Sequence, residues 1–349
     1  MKKILIVLAI TLFVFACSDD KSSDAEIIDL TITNLSSTDL NYQNTSIDSE
    51  MKKIYIFLDN DLTEFIFPIT LSADIRLSSG AKTSSISSGD LIFANSDEVK
   101  TIEVEAEDGT LKNWYIYLFH RQIQNSAFEY WFDNQGMNGK IYQEIGSSSV
   151  TSVWATANMG TSIYDVHCTQ PLTDGSNTLV EIYSGETGNL PITAGTIFTG
   201  IFNVAGAISH PTDPEQATIF GIPFTFRPTA IKYKFKYQSG DRYILATLND
   251  PNNIFGGFTV TDIEGEDKCS MEATLEIRNG DQVNEIARAE LFSETTDDVL
   301  TEITIPFIYT SNNIPTHISV MFSSSTEGDI WKGSVGSTLV IDDVELVYE

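Results

Sequence analysis

Apolar and polar side chains alternate along much of this chain. Ile28, Leu30 and Ile32 take every second position, as do Ile54, Ile56 and Leu58, and then Ile102, Val104 and Ala106. A period of two puts one set of side chains on one face of an extended strand, so each run predicts a strand with one buried face. Asp108-Gly109 sits between the run ending at Ala106 and the apolar stretch 114–119, which is a hairpin signature. Residues 26–122 therefore predict a small β-sandwich of immunoglobulin-like size. Strand-like runs then recur at 178–183, 196–204, 231–237, 243–248, 271–277, 286–292, 300–308 and 318–322, separated by Gly, Asn, Asp and Pro clusters. No apolar spacing of helical period is sustained and no internal repeat is evident. The chain is predicted to be all-β, with a second two-sheet sandwich of jelly-roll type over 123–349.

Composition narrows the partners more than the fold. A chain of 349 residues, 42% hydrophobic and 20% charged, has enough apolar material for two proper cores. Its formal charge of −29 is extreme, and removing Lys2 and Lys3 with a leader makes it −31. Such a polyanion is repelled by phosphate backbones, which argues against nucleic acid as a partner. Acidic surfaces suit neutral ligands, divalent cations or solubility.

The N-terminus adds a location. Met1 to Lys3 form a positive leader, residues 4–15 an apolar run, and Ala16 and Cys17 follow at once. That run is shorter than the roughly 20 residues a spanning helix needs. A small residue before a cysteine at such a boundary is the pattern of a bacterial lipobox. It predicts a signal peptide over 1–16, lipidation of Cys17 and a short Ser/Asp-rich tether over 17–25, so that acyl chains hold the protein to a membrane. With Cys17 so used, Cys168 and Cys269 remain; an oxidising compartment permits a disulfide, but two buried thiols are expected. No Cys/His spacing proposes zinc.

Three separated segments carry a resemblance. Residues 125–131 read NSAFEYW, 220–237 read FGIPFTFRPTAIKYKFKY, and 322–346 read FSSSTEGDIWKGSVGSTLVIDDVEL. In that order they resemble the putative carbohydrate metabolism domain (PCMD) of Bacteroidetes lipoproteins. The segment 104–117, VEAEDGTLKNWYIY, resembles the closing hairpin of the Ig-like domains that often precede it. Ser18-Asp19-Asp20-Lys21 resembles the acidic signal that directs such lipoproteins to the outer face of the outer membrane, so that location is expected here. More distantly, residues 125–131 resemble the opening of jelly-roll carbohydrate-binding modules.

The resemblance implies candidate sites. In related modules an acid of the first strand and one of the last hold a structural calcium ion. Here these are Glu129 and Asp342, with Asp343 as the fallback, and two carboxylates plus carbonyls are the hard oxygen ligands calcium takes. Strand capping would account for the acids equally well. Sugar binding calls for a flat apolar ring beside polar groups. Trp154, in a segment that resembles the W-x-T-x-N of PCMD and ends at Asn158, and Trp331, in the loop 328–333, are the candidate ligand-binding residues, the alternative being that each tryptophan pins its loop. Trp131 and Trp114 read as core. Lys232, Lys234 and Lys236 share one strand face, either as a docking stripe or as a solvated face paired with carboxylates.

Catalytic motifs are not recognisable: the four histidines are scattered, with no HExxH, GxSxG or phosphate loop. The 49 acids offer too many pairs for a glycosidase dyad to be read from sequence. The leading expectation is a surface lipoprotein whose jelly roll binds glycan without catalysis. An adhesive protein binding another protein and a glycoside hydrolase are the alternatives.

Overall fold

Two sandwiches follow one another along the chain. The computed structural model describes residues 21–83, 89–210, 212–280 and 282–348; Cys17 and the leader lie outside the described residues. In the first sandwich a sheet of Ile27–Leu35, Ile69–Leu77 and Asp90–Phe93 faces a second of Tyr42–Asp48, Lys53–Leu58, Leu111–Phe119, Lys100–Glu105 and Lys82–Thr83. Lys53–Leu58 and Leu111–Phe119 run parallel, and every other pairing in these sheets is antiparallel. The alternating set Ile54, Ile56, Leu58, Ile102 and Val104 fills the space between the sheets, with Trp114 fully buried and its Nε1 donating to the Ala25 carbonyl at 3.0 Å.

The intervening residues of two strands have a different destination. Tyr55, Phe57, Tyr117 and Phe119 are also buried, but in the core of the second sandwich, where they meet Ile222, Phe224 and Phe226. The rings of Phe57 and Phe226 lie 6.4 Å apart, and Tyr117 donates its hydroxyl to the Val150 carbonyl at 3.0 Å. A strand apolar on both faces is one buried on both faces. These two strands are thus the floor of one domain and the wall of the next.

The second sandwich is all-β and jelly-roll-like. One sheet has the order Thr169–Asp174, Asn177–Tyr183, Thr338–Val347, Ala230–Gln238, Thr301–Pro306. The other runs Trp154–Thr156, Thr196–Phe202, His317–Ser323, Cys269–Asn279, Gln282–Ser293, Ile308–Tyr309. Tyr233 of the first sheet meets Phe322 of the second edge to face at 5.1 Å, in the middle of the layer. Cys168 and Cys269 are both buried and unpaired, and burial pushes both thiols up to about 12.

Two elements depart from expectation. The segment around Glu129 is not a strand: Phe128 has φ 57°, and the chain enters extended structure only at Trp131–Gln135, which pairs with Ile141–Ile145 in a separate two-stranded sheet. The first and last strands of this domain are therefore not neighbours. A small three-stranded sheet, Phe258–Asp262, Tyr243–Leu248 and Lys332–Ser334, positions the loop of Trp331.

Candidate functional site

Trp331 sits where a short turn meets that three-stranded sheet. The 3-10 turn Gly328–Ile330 ends on Trp331 in the left-handed conformation at φ 55°, and its amide donates to the Gly328 carbonyl at 3.1 Å. Its carbonyl accepts from the Ala246 amide at 3.0 Å, which fixes the turn to the strand Tyr243–Leu248. Phe258 holds the indole edge to face at 5.2 Å. The half-buried indole lines an open depression of about 490 Å³, together with Leu245, Thr247, Asp213, Asp329 and Ile330. Ile330 is half exposed, and Phe255, in the same loop as Pro251 of this depression, is 72% exposed. An apolar floor with carboxylates at its edge can meet the C–H face and the hydroxyls of a sugar at once.

Trp154 and Asn158 do not join it. Trp154 is only 3% exposed: its ring packs edge to face on Phe128 at 5.3 Å and its Nε1 donates to the Gln124 carbonyl at 2.9 Å. It begins the strand Trp154–Thr156 rather than occupying a loop, so its face is closed to ligand. Asn158 is equally buried, with Nδ2 donating to the Thr169 carbonyl at 2.6 Å and Oδ1 accepting from the Thr169 amide at 3.1 Å. The expectation that these two residues contact ligand is corrected on that geometry. The segment is a structural pin, as the alternative for Trp154 had it.

Glu129 and Asp342 are not on adjacent strands but are each hydrogen-bonded to one of two successive residues, Thr178 and Asn177. Asn177 donates from Nδ2 to Asp342 Oδ2 at 2.8 Å, and the amide of the next residue, Thr178, donates to Glu129 Oε1 at 3.4 Å. The turn before Glu129 is bound to the last strand by Val344, whose amide donates to the Ser126 carbonyl at 3.0 Å. Asp342 is buried, its Oδ1 has no hydrogen-bond partner, and burial raises its pKa above the usual carboxylate range while Asn177 opposes. Asp343 is engaged elsewhere, with Oδ2 on Lys234 Nζ at 2.6 Å. A buried carboxylate oxygen without a donor is one a hard cation can take, and Glu129 is bound to the residue that follows Asp342's partner Asn177. Among the described residues no three His, Cys, Asp or Glu gather, so such an ion would draw its other ligands from carbonyls or water.

The lysine stripe is accounted for by acids. Lys232 pairs with Glu345, Lys234 with Asp343 and Lys236 with Asp298, each at 2.6 Å. Of the surrounding residues of the Trp331 depression, Phe255 and Phe258 escaped the sequence reading. The loop 249–257, NDPNNIFGG, had the same signal as that of Trp331: an aromatic among turn residues with no strand to serve.

The profile of a family described as the putative carbohydrate metabolism domain matches residues 127–347. Among solved structures, a putative glycoside hydrolase from Bacteroides thetaiotaomicron is 23% identical, aligning 95% of this chain with 98% of its own at a TM-score of 0.51. A putative glycoside hydrolase from Bacteroides vulgatus, also 23% identical, aligns 64% of this chain with 97% of its own at a TM-score of 0.52. At that identity the likeness is one of fold. No curated protein matches the chain.

Proposed function

The chain belongs to the putative carbohydrate metabolism domain family, and on that premise we propose that it is a surface lipoprotein whose second sandwich captures glycan without hydrolysing it. The observation that carries this is the depression at Trp331, where an indole braced by Phe258 and flanked by Ile330 meets the carboxylates of Asp213 and Asp329. Aromatic faces supply the apolar contact, and carboxylates accept hydrogen bonds from sugar hydroxyls. The lipid on Cys17 would hold the chain to the outer membrane, with the first sandwich as a spacer. Calcium held by Glu129 and Asp342 would tie the turn that opens the domain to its last strand and neutralise a buried carboxylate.

The test is a glycan array probed with the purified mature chain and with Trp331→Ala. Binding that the substitution abolishes supports the assignment. An array on which both proteins bind alike, or on which neither binds, overturns it, and a silent array with a specific envelope-protein partner would favour adhesion instead. A hydrolase reading is favoured by one observation, that Asp213 and Asp329 border the same depression. It predicts release of reducing sugar that Asp329→Asn abolishes.

A further inference from the structure

A second pocket lies between the two sandwiches. It measures about 160 Å³ and is walled by Tyr55 and Tyr117 of the first domain and Val153 and Pro223 of the second, with Lys53 from the first and Arg278 from the second. Its volume is well below the roughly 300–1,000 Å³ of sites that take drug-sized ligands, so it admits a single ring rather than a chain. The walls do not depend on domain motion. They are fixed by the shared aromatic core and by the bond from Tyr117 to Val150.

The charges set its selectivity. Lys53 Nζ stands over the Tyr117 ring, 5.3 Å from its centroid, and among the described residues it makes no ion pair. Its cross-strand partner is Asp48, whose Oδ1 is engaged by the amides of Glu50 and Met51, so Lys53 is left without a salt bridge among the described residues, in a chain where acids outnumber bases 49 to 20. Burial draws its pKa below the usual lysine range, with Asp48, which also lines the pocket, opposing. Arg278, which also lines the pocket, is held by Glu276, at 2.8 Å through Nε and 2.7 Å through Nη2. Gly221 leaves room for it: a Cβ there would stand 2.5 Å from Arg278 Nη2. His317, also at the pocket, is pushed down to about 4 by burial, with Arg278 adding to the effect, so it is neutral at pH 7.

We infer that this interdomain pocket is a second ligand site, taking one acidic sugar residue with its carboxylate on Lys53 and its ring against Tyr55. The carboxylate supplies the direct ion pair that Asp48 does not make with Lys53, and a charge-assisted hydrogen bond is strongest where water is excluded. That the anion is carried by a sugar rests on the carbohydrate reading above; that an anion binds here rests on the pocket alone.

Calorimetric titration of the mature chain with methyl β-D-glucuronide, methyl β-D-glucoside and acetate tests it. The glucuronide is expected to bind about tenfold or more tighter than the glucoside, the worth of one hydrogen bond to a charged group. Lys53→Met, which keeps the stem over Tyr117, removes that preference. Asp48→Asn, which keeps an acceptor but removes the opposing charge, strengthens it, so the two substitutions act in opposite directions on the uronide and leave the glucoside unmoved. Equal affinity for the two glycosides, no binding of either, or variants that shift both alike overturn the site. Acetate binding as tightly as the glucuronide reduces it to a simple carboxylate site and overturns the sugar. The same titrations are run in the Trp331→Ala background: a uronide preference that persists there and is removed by Lys53→Met belongs to this pocket, so failure here and failure at the Trp331 depression are separable.

Discussion

Gln122 closes a two-way hydrogen bond on the backbone of Leu346, donating from Nε2 to its carbonyl at 2.9 Å and accepting its amide on Oε1 at 2.8 Å. A side-chain amide here takes the place of a neighbouring strand and fastens the link between domains to the last strand of the chain. Arg121 adds a second tie through its carbonyl, which accepts the Tyr348 hydroxyl at 2.6 Å. With four aromatic side chains of the first domain buried in the second, the two sandwiches should melt as one unit. Scanning calorimetry is expected to give a single transition. Gln122→Ala, which strands two buried main-chain groups, should lower stability by about 2–4 kcal/mol. Two resolved transitions in the unmodified chain would contradict the shared core.

Trp154 and Trp331 should respond in opposite ways to the same substitution. Trp154→Ala opens a cavity beside Phe128 and leaves the Gln124 carbonyl unpaired, a loss on the order of 3–5 kcal/mol. Trp331→Ala, at a half-exposed turn, should cost about 1 kcal/mol. Urea denaturation of the two variants checks the order. Trp331→Ala as destabilised as Trp154→Ala would mean that its indole serves the sheet and not the depression.

How much of this was legible beforehand follows from which constraints are local. Alternation at Ile54, Ile56 and Leu58 gave the strand because period two is a property of consecutive residues. The burial of Tyr55 and Phe57 on the other face was not legible, since their partners Ile222 and Phe226 lie some 170 residues on. Trp154 read as a loop aromatic because the polar Ser152 and Thr156 around it look like turn chemistry. In the fold Ser152 Oγ donates to the Trp154 carbonyl at 2.8 Å, and Thr156 Oγ1 donates to the buried Glu144. Both acids fall in the last strand as expected, but only the irregularity at Asp343, with φ 49°, decides that Asp342 is covered by Asn177 while Asp343 meets Lys234.

Calcium should raise the melting temperature, and Asp342 should be the residue through which it does so. Its Oδ1 is buried without a donor, and Glu129 reaches the residue adjoining its partner Asn177. Millimolar calcium is expected to raise the midpoint over that in EDTA by several degrees, a few kcal/mol of binding linkage. Asp342→Asn should abolish the difference, whereas Asp343→Asn, removing only an exposed ion pair with Lys234, should leave it intact. A midpoint indifferent to calcium in the unmodified chain would reduce Asp342 to a partner of Asn177 alone.

Glu144 should make the protein less stable at alkaline pH than at acid. Its carboxylate is buried, with Oε1 accepting the Thr156 hydroxyl, and burial pushes its pKa up to about 7 against the donors that oppose it, Thr156 first. A carboxyl that binds its proton more tightly in the folded chain contributes stability that is complete below its unfolded pKa near 4.5 and is lost as pH rises through about 7. The loss between pH 4.5 and 8 is on the order of 3 kcal/mol. Asp342, raised for the same reason, acts in the same direction in the absence of calcium, so the measurement belongs in saturating calcium. Glu144→Gln keeps the acceptor and cannot ionise, and its denaturation midpoint should stay flat where that of the unmodified chain falls. Parallel pH profiles for the two proteins would show that Glu144 keeps its charge in the fold, through donors stronger than the single hydroxyl of Thr156.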